Sequence, residues 1–205
     1  MKEESHVKQE QLVEAALRRF SHFGVAKTTL TEVADDLSIS KQTLFYYFPD
    51  KQSLVNAVID KLSEEYYDEL EHEISQAESV EDALLQITEV KSHFLEKYYM
   101  LMSSVDHREL FNTDYIKTRK KTHITAEIRI ITRLLQQGSE KGELRALDAS
   151  KTAILLSETL YAFSRCLKDH QGVFPEKAAF TKVLQSQQEA IKLFYQGLKK
   201  ETWKA

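Results

Sequence analysis

Residues that interrupt regular structure are scarce in this 205-residue sequence, which has five glycines and two prolines. β-Sandwiches and barrels need turn residues about every 8–12 positions, so this scarcity argues against both folds. Neither a GxGxxG motif nor a P-loop motif occurs. The chain therefore lacks the glycine-rich loops that cradle phosphates.

Cysteine is nearly absent as well, since Cys166 stands alone. A disulfide framework and a cysteine-cluster metal site within the chain are therefore excluded, and the reducing cytoplasm is the expected compartment. No apolar signal segment is found at the start of the sequence, and no apolar stretch approaches the roughly 20 residues of a membrane span. The formal net charge of −4 at pH 7 does not by itself suggest a nucleic-acid partner.

Metal-binding and catalytic patterns are missing too. His93, His107 and His123 do not have the i, i+4 spacing of helical metal ligands, so no metal site is expected. No serine or cysteine nucleophile can be placed beside a base. The sequence therefore predicts no enzyme and no cofactor.

Apolar residues recur with a helical period along almost the whole chain, and no stretch alternates convincingly as a strand. The pattern predicts an all-α fold of about nine helices. Residues 103–113 fit either a short helix or a loop. The other helices are expected at about residues 7–23, 29–37, 41–48, 51–74, 80–101, 114–138, 150–170 and 176–198.

Local signals predict where several helices begin and end. Thr29 followed by Glu32 fits a capping box, Ser40 can cap the third helix, and Asp50 can cap the fourth. Gly24 is expected to end the first helix in a left-handed conformation. Later helices are expected to begin at Asp114 and at Asp148 or Ser150.

Two short helices joined by a tight turn and preceded by a packing helix occupy residues 20–54, the arrangement of a helix-turn-helix. The small Ala34 allows the two helices to approach closely, and Leu44 and Phe48 anchor the second one. The outward residues of that second helix have hydrogen-bonding and aromatic groups that suit base edges and phosphates. They are Lys41, Gln42, Thr43, Tyr46 and Tyr47.

This segment closely resembles the tetracycline-repressor (TetR) family of bacterial transcription regulators over about 50 residues. The matching positions are Phe23-Gly24, Thr28-Thr29, Ala34, Ser38-Ile39, Ser40 through Phe48, and Asp50-Lys51. Two positions depart from the family pattern. Ser38 replaces the turn glycine and would be strained at a positive φ, and Phe45 replaces a tyrosine and lacks its hydroxyl.

The resemblance implies a DNA-binding domain at residues 1–51 and a ligand-binding and dimerisation domain at residues 52–205. It implies a homodimeric repressor that binds a palindromic double-stranded DNA operator and is released by a small molecule. The expected DNA contacts are Thr29, Thr31, Lys41, Gln42, Thr43, Tyr46, Tyr47 and Lys51. Residues 1–51 hold seven basic and eight acidic residues, so DNA affinity should depend on where individual charges lie.

The effector site is expected among the aromatic and methionine residues of the larger domain. The candidate residues are Phe94, Tyr98, Met102, His123, Tyr161 and Arg165. No acidic cluster is evident among them, so an apolar effector that is neutral or anionic is expected. The same residues also fit a plain core, which leaves open a DNA-binding regulator without an effector. A helical protein-interaction adaptor is the other alternative.

Overall fold

The computed structural model describes residues 2–103, 113–166 and 177–200, and these ranges contain nine α-helices. The all-α prediction is confirmed, and the only bridge outside the helices in these ranges joins Leu144 to Lys199. None of the described helices has both the length and the hydrophobicity that crossing a bilayer requires. The helices are α1 Lys2–Phe23, α2 Leu30–Asp36, α3 Lys41–Tyr47, α4 Lys51–Gln76, α5 Val80–Lys97, α6 Tyr99–Ser103, α7 Asp114–Glu140, α8 Ala149–Cys166 and α9 Lys177–Leu198.

The caps that the sequence predicts for α4 and α8 are present. The Ser53 N–H donates to Asp50 Oδ1 at 2.7 Å, and the Lys151 N–H donates to Asp148 Oδ1 at 3.0 Å. Gly24 has a φ of 79°, the left-handed conformation that ends a helix without a Cβ clash. These contacts lie within a few residues of one another along the chain, so local sequence is enough to fix the helix ends.

Three predicted boundaries are wrong. Helix α1 begins at Lys2, before the apolar stripe starts, and the predicted helix at 80–101 is broken at Tyr98 into α5 and α6. Thr113, rather than Asp114, caps α7, because its Oγ1 accepts the Ile116 N–H at 3.3 Å. Most of the ambiguous segment at 103–113 lies outside the described residues.

The first of two compact units contains residues Met1–Glu65 and Lys97–Lys117. In this unit α1 packs against α2 and α6, and α2 packs against α3. Lys61 of α4 forms an ion pair with Glu14 of α1 at 2.7 Å. The fully buried side chains of its core include Leu12, Phe20, Leu44 and Leu54.

The second unit contains residues Tyr66–Glu96 and Thr118–Ala205, and in it α9 packs against α8. A Cβ at Gly138 of α7 would lie 2.4 Å from Val80 Cγ2 of α5, so glycine permits the close approach at that point. The fully buried side chains of this core include Leu70, Leu84, Leu135, Leu156 and Ile191. These two units are defined by packing. The division predicted at residue 51 separates a DNA-binding domain from a ligand-binding and dimerisation domain, and it stays a prediction.

Candidate nucleic-acid interface and ligand cavity

The start of α2 is fixed by the capping box that the sequence predicts. The Thr29 N–H donates to the Glu32 carboxylate at 2.7 Å, and the Glu32 N–H donates to Thr29 Oγ1 at 3.2 Å. These bonds satisfy two backbone donors that the first turn of the helix leaves free. Thr31 is exposed just after the cap, and the Thr29 hydroxyl is itself engaged with Glu32 at 2.8 Å.

The turn between α2 and α3 contains the substituted position Ser38. Its φ is 51°, so the strain expected at this serine is confirmed, because a Cβ is unfavourable in the left-handed region. The Ser38 N–H donates to the Asp35 carbonyl at 3.0 Å, and the Ile39 N–H donates to the Ala34 carbonyl at 3.0 Å. These two hydrogen bonds hold the turn in the geometry that glycine would adopt without strain.

Helix α3 is oriented by its cap and by two buried side chains. Ser40 Oγ accepts the Thr43 N–H at 3.0 Å, and Leu44 and Phe48 are buried. The remaining side chains of α3 form a surface that we name the recognition face. It consists of the exposed Lys41, Gln42, Phe45 and Tyr46 and the half-buried Thr43 and Tyr47.

Aromatic contacts order this recognition face. Tyr46 is 80% exposed and packs edge-to-face against Tyr47, with ring centroids 5.1 Å apart. The Lys41 ammonium lies 5.5 Å from the centre of the Phe45 ring. Phe45 is 38% exposed and is absent from the residues that the sequence predicts to point outward. Its position one helical turn after Lys41 was the signal that could have placed it there.

Lys51 lies beside the chain that leads into α2. Its Nζ donates to the Ala26 carbonyl at 3.4 Å. Burial lowers the pKa of Lys51, and the nearby Glu32 carboxylate acts in the opposite direction. The structure therefore brings Lys51 close to the α2 start, where the sequence predicts DNA-backbone contacts.

Acidic groups on α2 are balanced by Arg19 of α1. Its guanidinium donates to both carboxylate oxygens of Asp36, with Nη2 at 2.8 Å from Oδ1, and lies 3.5 Å from Glu32. The hydrogen bonds from Arg19 lower the pKa of Asp36. This pairing offsets part of the negative charge that the sequence places in the helix-turn-helix.

The second unit contains a cavity of about 240 Å³ between α5, α7, α8 and α9. Five of its twelve lining residues are isoleucine or leucine, and the other seven carry polar groups. The lining residues are Ile87, Thr88, Lys91, Ile124, Glu127, Ile128, Ile131, Ser157, Glu158, Leu160, Tyr161 and Gln187. The two glutamates are a finding that the sequence does not suggest, because no acidic cluster is evident there.

The predicted effector residues are only partly gathered at this cavity. Tyr161 lines it, and His123 contacts the cavity residue Glu127. In the described part of the chain Phe94 is buried against Tyr66 instead, with ring centroids 5.5 Å apart. Tyr98 belongs to the first unit, where its hydroxyl donates to Glu65 at 2.5 Å. The side chains of Met102 and Arg165 lie outside the described residues.

Glu127 is the centre of a set of side chains that we name the polar cluster: Tyr66, Tyr67, Lys91, His123 and Glu127. Its Oε1 accepts from the Tyr66 hydroxyl and from Lys91, both at 2.9 Å, and lies 3.3 Å from His123 Nε2. The Tyr67 hydroxyl lies 2.9 Å from His123 Nδ1. These contacts join three helices, α4, α5 and α7.

Two opposing effects act on the pKa of Glu127. Burial raises it, but the charge of Lys91 and the hydrogen bond from His123 together lower it well below its usual range. Burial also raises the pKa of Tyr67, the hydroxyl that contacts His123. Glu127 is therefore an anion at neutral pH, and its charge is balanced by Lys91. Within the described ranges no three His, Cys, Asp or Glu side chains are arranged to hold a metal ion.

Helices α8 and α9 expose apolar side chains in the second unit. Leu155 and Tyr161 of α8 are 55% and 52% exposed, and Leu193 of α9 is 75% exposed. Phe194 and Leu198 of α9 are half-buried. One turn after Leu193, a Cβ at Gly197 would meet no other atom, so this side of α9 is open.

Comparison with known proteins places these features in a family. The sequence model described as "Bacterial regulatory proteins, tetR family" matches residues 12–58, the helix-turn-helix and its flanking helices. The transcriptional regulator TtgR of Pseudomonas putida is 27% identical over 164 residues, which are 76% of this chain and 77% of that protein.

Solved structures agree over nearly the whole chain. A transcriptional regulator from Cytophaga hutchinsonii superposes with a TM-score of 0.83 at 22% identity and covers 94% of this chain and 99% of its own. A regulator from Saccharomonospora viridis solved with choline has a TM-score of 0.68 at 15% identity, over 96% and 100% of the two chains. The chain therefore has the DNA-binding helix-turn-helix of the TetR family of transcriptional regulators at residues 12–58, and it resembles transcriptional regulators over most of its length.

Proposed function

We propose that this protein is a ligand-responsive repressor that binds a palindromic operator as a homodimer. The recognition face of α3 carries the proposal, because it exposes a cation, an amide and aromatic rings on one short, firmly anchored helix. In this proposal residues 1–51 form the DNA-binding domain, and residues 52–205 form the ligand-binding and dimerisation domain.

The recognition face enters the major groove. Lys41 and Gln42 suit guanine and adenine edges respectively, and Thr43 adds a hydroxyl that can contact either a base or a phosphate. Tyr46 and Tyr47 supply hydroxyls, and Phe45 offers an apolar surface of the kind that contacts a thymine methyl group. Lys51, Thr29, Thr31 and the backbone at the start of α2 hold the phosphate backbone.

The electrostatic contribution to DNA binding is small in this proposal. Residues 1–51 carry a net charge of −1 from seven basic and eight acidic residues. Each neutralised phosphate contributes a slope of about −0.9 to the dependence of log K on log salt. Few phosphate contacts therefore give a shallow salt dependence and modest non-specific affinity.

The homodimer forms through α8 and α9 and their symmetry mates. A four-helix interface of this kind would cover the exposed Leu155, Tyr161 and Leu193. A twofold dimer presents two recognition helices, which reach successive major grooves when they lie about 34–36 Å apart. Operator palindromy follows from this symmetry.

The effector occupies the cavity of the second unit. The choline complex of the Saccharomonospora viridis regulator supports small-molecule binding in this fold. Glu127 lines the cavity and accepts from Tyr66 of α4, and α4 begins at Lys51, just after the helix-turn-helix. Ligand binding can therefore bias α4, favouring a state in which the recognition helices are wrongly spaced for the operator.

Selection of genomic DNA fragments by the purified protein tests this proposal. We expect enrichment of fragments that share an inverted repeat, and lower affinity for those fragments when a cavity ligand is added. Lys141→Ala, a change at an exposed lysine of the second unit, is the control and should select the same fragments. Failure to enrich any fragment would contradict the proposal and favour an adaptor.

A further inference from the structure

We infer that the cavity takes a compact, neutral, apolar molecule with one hydrogen-bonding oxygen, a carbonyl or a hydroxyl. The inference rests on the proposed effector role of the cavity and narrows the chemistry of its ligand. Three observations carry it: the size of the cavity, a buried hydroxyl in its wall, and the balance of its charges.

The cavity has room for a small molecule only. Its volume is about 240 Å³, and its walls include Ile87, Ile124, Ile128, Ile131 and Leu160. Apolar cavities of about 150 Å³ already accept benzene. One aromatic ring with a short substituent therefore matches the volume and the character of the walls.

Ser157 is a cavity-lining residue whose hydroxyl has no visible role in the packing. Its Oγ is buried and has no hydrogen-bond partner among the described residues. Two neighbouring hydroxyls behave differently, since those of Thr88 and Thr159 each donate to a carbonyl of the preceding helical turn at 2.8 Å. The Ser157 Oγ has almost no accessible surface, so a ligand oxygen reaches it only when the serine side chain turns towards the cavity that the residue lines. A buried hydroxyl without a partner is costly, so such a hydrogen bond would add to the affinity of the ligand.

The charges of the cavity leave no place for an ion. Lys91 Nζ lies 2.9 and 3.0 Å from the two carboxylate oxygens of Glu127, which also accepts from Tyr66. An anionic ligand would compete with Glu127 for Lys91 and would face Glu158 as well. A cationic ligand would be repelled by Lys91 and would find Glu127 already paired. Glu158 would attract a cation, but this side chain is exposed, so solvent screens its charge. A neutral ligand disturbs none of these interactions.

Four probes with one ring test the inference on the full chain: toluene, benzyl alcohol, benzoate and benzylammonium. Dissociation constants come from NMR titrations of the purified protein. We expect benzyl alcohol to bind about fivefold tighter than toluene, the gain of one hydrogen bond. Benzoate and benzylammonium should bind at least about tenfold more weakly than benzyl alcohol, because each introduces an unpaired charge.

Ser157→Ala tests the hydroxyl itself. This variant should bind toluene and benzyl alcohol equally, and its melting temperature without ligand should rise because an unsatisfied buried group is gone. Ser186→Ala is the control, since Ser186 Oγ donates to the Lys182 carbonyl on α9 and does not line the cavity. That variant should keep the preference for benzyl alcohol.

Several results would overturn the inference. They are tighter binding of either ion than of benzyl alcohol, no binding of any probe at millimolar concentration, and an unchanged preference or a lower melting temperature in Ser157→Ala. If benzyl alcohol binds as expected but operator affinity does not change, the ligand class stands. In that case the effector role is what fails.

Discussion

The recognition face and the polar cluster use their polar side chains in opposite ways. Lys41, Gln42 and Tyr46 are exposed on one seven-residue helix, whereas Lys91 and Glu127 are paired with each other at the wall of a cavity. The hydrogen-bonding groups of the exposed recognition face are accessible to another molecule. In the polar cluster the charged groups already bind each other, so they offer little to a ligand. They stabilise the cavity wall, and the other lining residues remain to contact a ligand.

The two regions should differ in how substitutions affect stability. Substitutions on the recognition face should change DNA binding and leave folding nearly intact, because the exposed side chains take little part in the core. Substitutions in the polar cluster should lower the free energy of unfolding, because they leave a buried polar group without its partner. We expect the greatest loss of stability at the buried Lys91–Glu127 pair and a much smaller change at the turn between α2 and α3.

Removing the cation of the polar cluster should have the largest effect. Lys91→Met leaves the Glu127 carboxylate buried without its charge partner, and we expect a loss of about 3 kcal/mol in the free energy of unfolding. Chemical denaturation measures it. Gln42→Ala is the matched comparison on the recognition face and should change stability by less than about 0.5 kcal/mol. Equal losses in the two variants would contradict the separation.

The effect of Lys91→Met should also depend on pH. The folded-state pKa of Glu127 is lowered, so its contribution is present above the unfolded value of about 4.3 and is lost as the pH falls towards the folded value. Without Lys91, burial raises that pKa, and protonation relieves the unpaired charge. The stability difference between wild type and variant should therefore begin to shrink as the pH falls through the raised pKa of Glu127 in the variant, which lies above the ordinary value of about 4.3. A difference that grows on acidification would be inconsistent with this assignment.

A charge on the open side of α9 should disrupt the proposed dimer. Leu193→Glu would place a carboxylate in an apolar interface, so we expect the dimer dissociation constant to rise by about 100-fold or more. Analytical ultracentrifugation measures it. Gln196→Glu introduces the same charge at another exposed position of α9 and should have a smaller effect. A Leu193→Glu protein that remains dimeric would place the interface elsewhere.

A single change on the recognition face should alter which base is preferred. Gln42→Ala removes an amide suited to adenine, so we expect a loss of about 1–3 kcal/mol of discrimination at one position of each half-site. Binding to operators with every base substituted at that position measures the change. If Gln42→Ala weakened binding equally for all four bases, the side chain would be contacting the backbone instead.

The strained turn should give the smallest effect. Ser38→Gly removes a Cβ from a residue with a φ of 51°, and we expect a gain of about 0.5–1 kcal/mol in the free energy of unfolding. Thermal denaturation measures it. Ser40→Gly is the control and should destabilise, since it removes the side-chain cap of α3. A loss of stability in Ser38→Gly would mean that the serine side chain has a favourable role.

The two regions also differ in how far sequence reasoning reaches. The Thr29 and Ser40 caps and the left-handed Gly24 depend on residues three or four positions apart, so local patterns predict them. The polar cluster depends on contacts between Lys91 and Glu127, 36 residues apart, and between Tyr66 and Glu127, 61 residues apart. No local pattern indicates such pairings, because tertiary packing creates them.

Two of the predicted effector residues lie away from the cavity that the structure contains. Phe94 and Tyr98 are aromatic residues on a helical stripe, and the sequence cannot distinguish a cavity wall from a core. Burial against Tyr66 and a hydrogen bond to Glu65 decide their positions. Ser157 gives no signal in the sequence at all, because only packing shows that its hydroxyl is buried.

The operator affinity of the Lys41→Ala/Tyr47→Ala double variant decides whether α3 contacts DNA. Fluorescence anisotropy on a selected genomic fragment measures it. Because Lys41 and Tyr47 are proposed DNA contacts, we expect affinity to fall by about 100-fold or more, while the melting temperature changes by only a few degrees. Unchanged affinity in a folded double variant would contradict the assignment of α3 as the DNA-contacting helix.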